Sequence, residues 1–150
     1  MIWWMVACFP THPVEPGATP GAAPEASATY VGSATCGACH VSANEVWARS
    51  SHATALATLT TAQHGADPEC LACHVTGFRQ PTGWTGNATP ALGNVGCESC
   101  HGAGGGHAAS PTRGYGRLPK AASTCVGCHT RDNSPDFVWS GYWPQVEHGR

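Results

Sequence analysis

Leucine, isoleucine, valine and phenylalanine together supply only 19 of the 150 residues. That is below the roughly one-fifth at which a chain begins to look unable to fold on its own apolar side chains. Charge is scarce as well, 7 Lys and Arg against 9 Asp and Glu giving a formal net charge of -2. The chain therefore lacks the charge excess of a disordered polyelectrolyte and the basic surplus of a nucleic-acid binder. Methionine occurs only as Met1 and Met5, so a sulfur ligand from methionine is excluded for any metal held in the body of the chain. The glycine run 102–106 lacks the lysine and the serine or threonine of a phosphate loop. No paired carboxylates and no nucleophile with a general base stand out, so any chemistry must come largely from a bound group.

Cysteine and histidine, by contrast, are abundant, at 9 residues each. Eight of the cysteines fall into four Cys-x-x-Cys pairs, and a histidine follows each pair directly: Cys36, Cys39 and His40; Cys70, Cys73 and His74; Cys97, Cys100 and His101; Cys125, Cys128 and His129. Zinc sites, disulfides and thioredoxin-like turns also use cysteine pairs. Four adjacent histidines would arise by accident with a probability of about 10⁻⁵, however, whereas a c-type haem requires that spacing. Two cysteines on one turn reach the two vinyl groups of a haem, and the next histidine turns its imidazole onto the iron. The sequence thus predicts four covalent haem c groups, whose macrocycles replace the missing apolar core. The 19 Gly and 12 Pro suit a backbone wrapped closely around flat groups with little regular structure. Propionates would take the assembly to about -6, which argues further against a nucleic-acid partner.

The chain divides into a leader 1–8, a tether 9–29 and a cofactor-bearing domain 30–150. The leader is apolar but short and without a preceding basic residue, so it reads as the end of a truncated signal segment. Its Met5, Val6, Ala7 and Cys8 resemble a lipoprotein cleavage box, which makes Cys8 a candidate lipid anchor; the alternative is a leader cysteine lost on cleavage. Five prolines among Ala, Thr and Gly make 9–29 a semi-rigid, extended tether in which His12 is solvated. The best helical stretch follows the first motif: Ser42 and Glu45 form a capping box, and the helix continues past Trp47 and His52 to Leu59. Over such a helix His40 and His52 would lie about 18 Å apart, so His52 is expected to serve a different haem from His40. Residues 75–96 read as a loop with a short hairpin around 78–84, and Trp84 as an aromatic packed on a haem. The glycine run is expected to deliver His107 to a neighbouring iron. Arg113, Arg117 and Lys120 make a basic loop, either a docking surface for propionates or an acidic partner, or simply solvated. Near the end, Phe137, Trp139, Tyr142 and Trp143 form an aromatic cluster, and Pro144 opens a short helix towards His148.

With the four motif histidines and His12 set aside, four remain: His52, His64, His107 and His148. Their number matches four bis-histidine haems, which would have low, negative potentials because His/Met ligation is absent. Beyond the haem motifs, Trp47 with His52 and Ala53, the string Cys73-His-Val-Thr-Gly-Phe78 and the string Val95-Gly-Cys-Glu-Ser-Cys-His-Gly102 resemble the tetrahaem cytochrome c-554 (cytochrome c-554 and c-prime) family of multihaem c-type cytochromes over about 30–129. The resemblance implies a mainly α scaffold with much irregular structure, organised around four closely spaced haems in stacked and perpendicular pairs. It implies that His52 serves the haem of His101, His107 that of His129 and His148 that of His40, and that the haem of His74 lacks a sixth protein ligand in the family's nitrifier member. This chain is shorter around and after its fourth site and carries His64 just before Cys70, so His64 is a candidate to close the second haem.

The expected function is extracytoplasmic electron transfer between redox partner proteins, in the periplasm or at the cell surface. Two alternatives stand beside it. A haem enzyme could reduce a small nitrogen oxide at an open second haem, or the chain could be a homo-oligomer or filament subunit, with His12 or His64 crossing to the next copy.

Overall fold

The computed structural model describes residues 29–116 and 122–149. The leader with Cys8, nearly all of the tether with His12, and Arg117 and Lys120 of the basic loop lie outside them. Seven short helices occur among the described residues: α1 (Ser33–Gly37), α2 (Val41–Arg49), α3 (Ala55–Thr61), α4 (Pro68–His74), α5 (Cys97–His101), α6 (Gly105–Ala109) and α7 (Trp139–Tyr142). Turns and single 3₁₀ turns join them, and no strand occurs among the described residues. The scaffold is mainly helical with much irregular structure, as the resemblance implies.

The long helix expected over 42–59 is broken. At Ser50 the backbone turns extended (φ -84°, ψ 158°), and a 3₁₀ turn, Ser51–Thr54, carries His52 before α3 begins. The capping box does not form either. His40, directly after the second motif cysteine, takes the N-cap position of α2 without a side-chain bond, so the helix starts ahead of Ser42. Ser50 explains the break, because its hydroxyl donates to the Trp47 carbonyl (2.7 Å) and so ends the helix there. Asp67, with Pro68 behind it, caps α4 by accepting from the Glu69 amide, the arrangement favoured at helix starts.

The apolar core is small, as the composition requires. Leu59, Cys70, Leu71 and Val75 form it, with Leu56, Phe78 and Trp84 packed around. Trp84 is thus a core residue, with its ring 6.2 Å from that of Phe78. The hairpin expected at 78–84 is instead a pair of turns, Gln80 bonding back to Gly77 and Gly83 to Gln80.

Hydrogen bonding compensates for the thin core, and it converges on residues 94–98. Asn94 accepts from the Leu56 amide of α3 (3.0 Å), and Val95 accepts from the Trp47 indole of α2 (2.8 Å). The Gly96 amide donates to Thr76 (2.8 Å) and the Cys97 amide to Ser33 at the start of α1 (3.2 Å). Glu98 takes up the entry to α1 and the entry to α6 together. Five successive residues therefore tie the third motif to α1, α2, α3 and α6.

Candidate haem sites

Each Cys-x-x-Cys-His motif forms one α-turn. The second is the body of α4 and the third is α5. In the first and fourth, the histidine amide bonds back to the leading cysteine carbonyl, His40 to Cys36 and His129 to Cys125, both at 2.9 Å. This turn puts both sulfurs and the imidazole within reach of one macrocycle. Cys36, Cys73, Cys97, Cys100 and Cys125 are half-buried, Cys39 is exposed and Cys70 is buried in the core. Cys128 is exposed as a residue, but its thiol turns inward against Cys73.

The cysteines meet across motifs. Cys36 is hydrogen-bonded to Cys97, which pushes its thiol well up, burial adding to the effect; the same contact holds Cys97 down at about 6. Cys73 is likewise held down, to about 7, by its bond to Cys128, and Cys128 is pushed up by that contact. The charges of Cys100 and Cys125 also act on Cys128. The attachment edges of sites one and three therefore abut, as do those of sites two and four, with site three beside site four.

Three pairs of imidazoles face one another. His40 and His107 have ring centres 6.1 Å apart and planes 28° apart; His52 and His129 are 6.1 Å and 48° apart; His101 and His148 are 5.8 Å and 56° apart. Two imidazoles on opposite sides of one metal ion, each bonded at about 2 Å with about 1 Å more to the ring centre, have centres about 6 Å apart. The ring-centre distances match that span. The membership of the pairs differs from what the resemblance implies: His52 meets His129 rather than His101, His107 meets His40 rather than His129, and His148 meets His101 rather than His40.

The outer nitrogens are mostly engaged, as haem-binding imidazoles require for orientation. His74 Nδ1 donates to the Ala55 carbonyl (2.8 Å) and His148 Nδ1 to the Val146 carbonyl (2.7 Å), which leaves Nε2 free of its proton in each. His129 Nδ1 bonds to Ser134 (3.0 Å), and its ring stacks on Phe137 (4.7 Å) and meets Tyr142 edge-on (5.7 Å). At His107, Nδ1 instead accepts from the Thr112 amide at 3.3 Å, a contact that an imidazole bound through Nε2 gives up. Burial, then the charges of His129 and His74, hold His52 below the usual histidine range, and burial lowers His129.

His64 stands apart. Its Nδ1 lies 3.8 Å from the Asp67 carboxylate, and ligand atoms of His64, Asp67 and Cys70 lie within 4.8 Å of one another. It sits at the cysteine edge of the second site, and no ring pair joins it, or any other imidazole among the described residues, to His74. Trp139 and Trp143 stack on each other at 4.7 Å. The sequence reading passed over Glu98, inside the third motif. The one signal was a carboxylate between two attachment cysteines, and its partners lie 66 and 67 residues upstream.

A helical scaffold of four Cys-x-x-Cys-His turns with facing imidazoles defines a multihaem c-type cytochrome. Residues 35–102 match the family described as cytochrome c554 and c-prime. Cytochrome c-554 of Nitrosomonas europaea is 33% identical over 102 residues, covering 57% of this chain and 43% of that protein. The solved structure of reduced cytochrome c554 from Nitrosomonas europaea superposes with a TM-score of 0.54 at 28% identity, over 69% of this chain and 66% of the other. Over residues 35–102 the chain is similar to the cytochrome c554 and c-prime family, a family of covalent haem c proteins, and it spans less than half the length of the curated relative it matches.

Proposed function

We propose that the protein is an extracytoplasmic electron carrier in which four haem c groups form a short relay, three of them closed by a second histidine from among His52, His107 and His148. The observation that carries this reading is that each of these three imidazoles lies with its ring centre 5.8–6.1 Å from that of a motif histidine. Haem supplies one-electron chemistry; the protein's part is to hold both axial positions so that no substrate reaches the iron and geometry changes little on reduction. With no methionine available as a ligand, all-histidine ligation places the potentials low.

The test is electron paramagnetic resonance of the oxidised protein with carbon monoxide added to the reduced form. Three low-spin haems that ignore carbon monoxide are expected, and fewer than three would overturn the reading. The fourth haem decides a second reading. No ring pair joins His74 to another imidazole among the described residues, while His64 is turned to Asp67, so an open second haem that reduces a small nitrogen oxide is the alternative. A high-spin haem that binds carbon monoxide favours it, and a fourth low-spin haem removes it. Export is tested by fractionation, with haem staining of the periplasmic and membrane fractions.

A further inference from the structure

We propose that Glu98, between the attachment cysteines of the third motif, is a fixed buried charge that holds down the reduction potential of the first haem; this rests on the electron-carrier reading above and on no assignment of axial pairs. Glu98 is 3% exposed. Its Oε1 accepts from the Gly104 amide (2.7 Å) and the Val31 amide (3.0 Å), and its Oε2 from the Gly32 amide (2.8 Å) and the Val31 amide (3.1 Å). Both oxygens act as acceptors only, the pattern of an ionised carboxylate. No positive side chain is among these partners. A charge held by amides alone, away from water and without a counter-ion, is weakly screened and acts on its surroundings over some distance.

The carboxylate is turned towards the first site. Val31 and Gly32 lead directly into α1, which contains Cys36, the first attachment residue of that site. Gly32, at φ 82°, directs its amide at Oε2 in a conformation that side chains rarely adopt. The contact with Cys97, then burial, then the charges of Cys97 and Glu98 push the Cys36 thiol up. The charge of Glu98 is thus felt at the atom to which the first haem is bound. An electron taken up by that haem is also a negative charge, so the field that opposes a thiolate at Cys36 opposes the step from ferric to ferrous iron as well. Glu98 itself exchanges neither proton nor electron; the electron comes from the redox partner. Because Cys36 also meets Cys97, the haem of the third motif lies within reach of the same charge.

The experiment uses the haem-loaded protein and compares the parent with E98Q and E98D by redox titration, read site by site from assigned haem methyl resonances, with electron paramagnetic resonance for spin state. E98Q removes the charge at nearly constant size. The first haem's midpoint is expected to rise, its ferrous-to-ferric ratio at a fixed electrode potential growing about tenfold. The third haem is expected to move in the same direction, the second and fourth to keep their midpoints, and every spin state to match the parent. E98D keeps the charge but draws it back from Val31 and Gly32 by one methylene, so the first haem is expected to rise by less than in E98Q. A first-haem midpoint unmoved in E98Q, or four midpoints moving alike, overturns the proposal. So does a rise in E98D as large as that in E98Q, because shape rather than charge is then responsible. If E98Q turns a haem high-spin, Glu98 acts by placing a ligand, and the proposal is again overturned. Should E98Q fail to load its haems, E98D decides: a rise at the first haem with the second and fourth unmoved supports the proposal, and a first-haem midpoint at or below the parent's overturns it. The electron-carrier reading fails separately, in the parent itself, by showing fewer than three low-spin haems.

Discussion

Thr76 is buried to 1%, and its hydroxyl donates to the Asn94 carbonyl (2.6 Å) while accepting from the Gly96 amide (2.8 Å). Replacement by valine keeps the shape and leaves both backbone groups unpaired in a dry site. T76V is expected to cost about 2 kcal/mol, seen as a lower guanidinium midpoint at unchanged slope. At the same scale, His52 and His129 are held in the neutral form by burial. Below the ordinary histidine value of about 6.5 the unfolded chain takes up protons that these folded side chains refuse until lower pH. Their contribution is therefore whole above that value and lost as pH falls through the window, and iron on Nε2 acts in the same direction because it too excludes the proton. The denaturation midpoint is expected to fall between about pH 7.5 and about pH 5, measured by chemical unfolding at each.

The elements are short, α2 ending where the Ser50 hydroxyl takes the Trp47 carbonyl and α5 ending at Gly102. At 77–83, a Cβ on Gly83 would run into the Gly77 carbonyl, and Arg79 and Thr82 already sit at φ 60°. G83A is expected to destabilise by about 1–3 kcal/mol through forced displacement of this double turn, read as a drop in thermal midpoint. The loop character of 75–96 was legible from its glycines and prolines. The double turn in place of a hairpin was not, since it depends on Thr76 bonding to Leu92 and Trp84 to Thr76. Likewise the helical pattern of 42–59 was legible, but not its break, because Ser50 is an ordinary helix residue until its hydroxyl binds the Trp47 carbonyl.

For the molecule as a whole, only Ala55, Leu59, Cys70, Leu71, Val75 and Leu92 are buried apolar residues among those described. A core this small does not offset the ordering of some 120 residues at about 1–2 kcal/mol each, so the haems must complete it. A chain with its attachment cysteines changed to serine is expected to be unfolded, with a coil-like circular dichroism spectrum and fully exchanging amides.

The sequence by itself determined where haem would be attached, because a Cys-x-x-Cys-His turn is five residues long and its chemistry is local. It also determined that leucine and its like cannot fill the interior alone, because composition bounds the area that can be buried. Only the tertiary structure decided which imidazoles face each other, that His64 turns to Asp67, and that Glu98 joins two distant segments. Those depend on where the chain crosses itself, and the converging hydrogen bonds of 94–98 set that crossing.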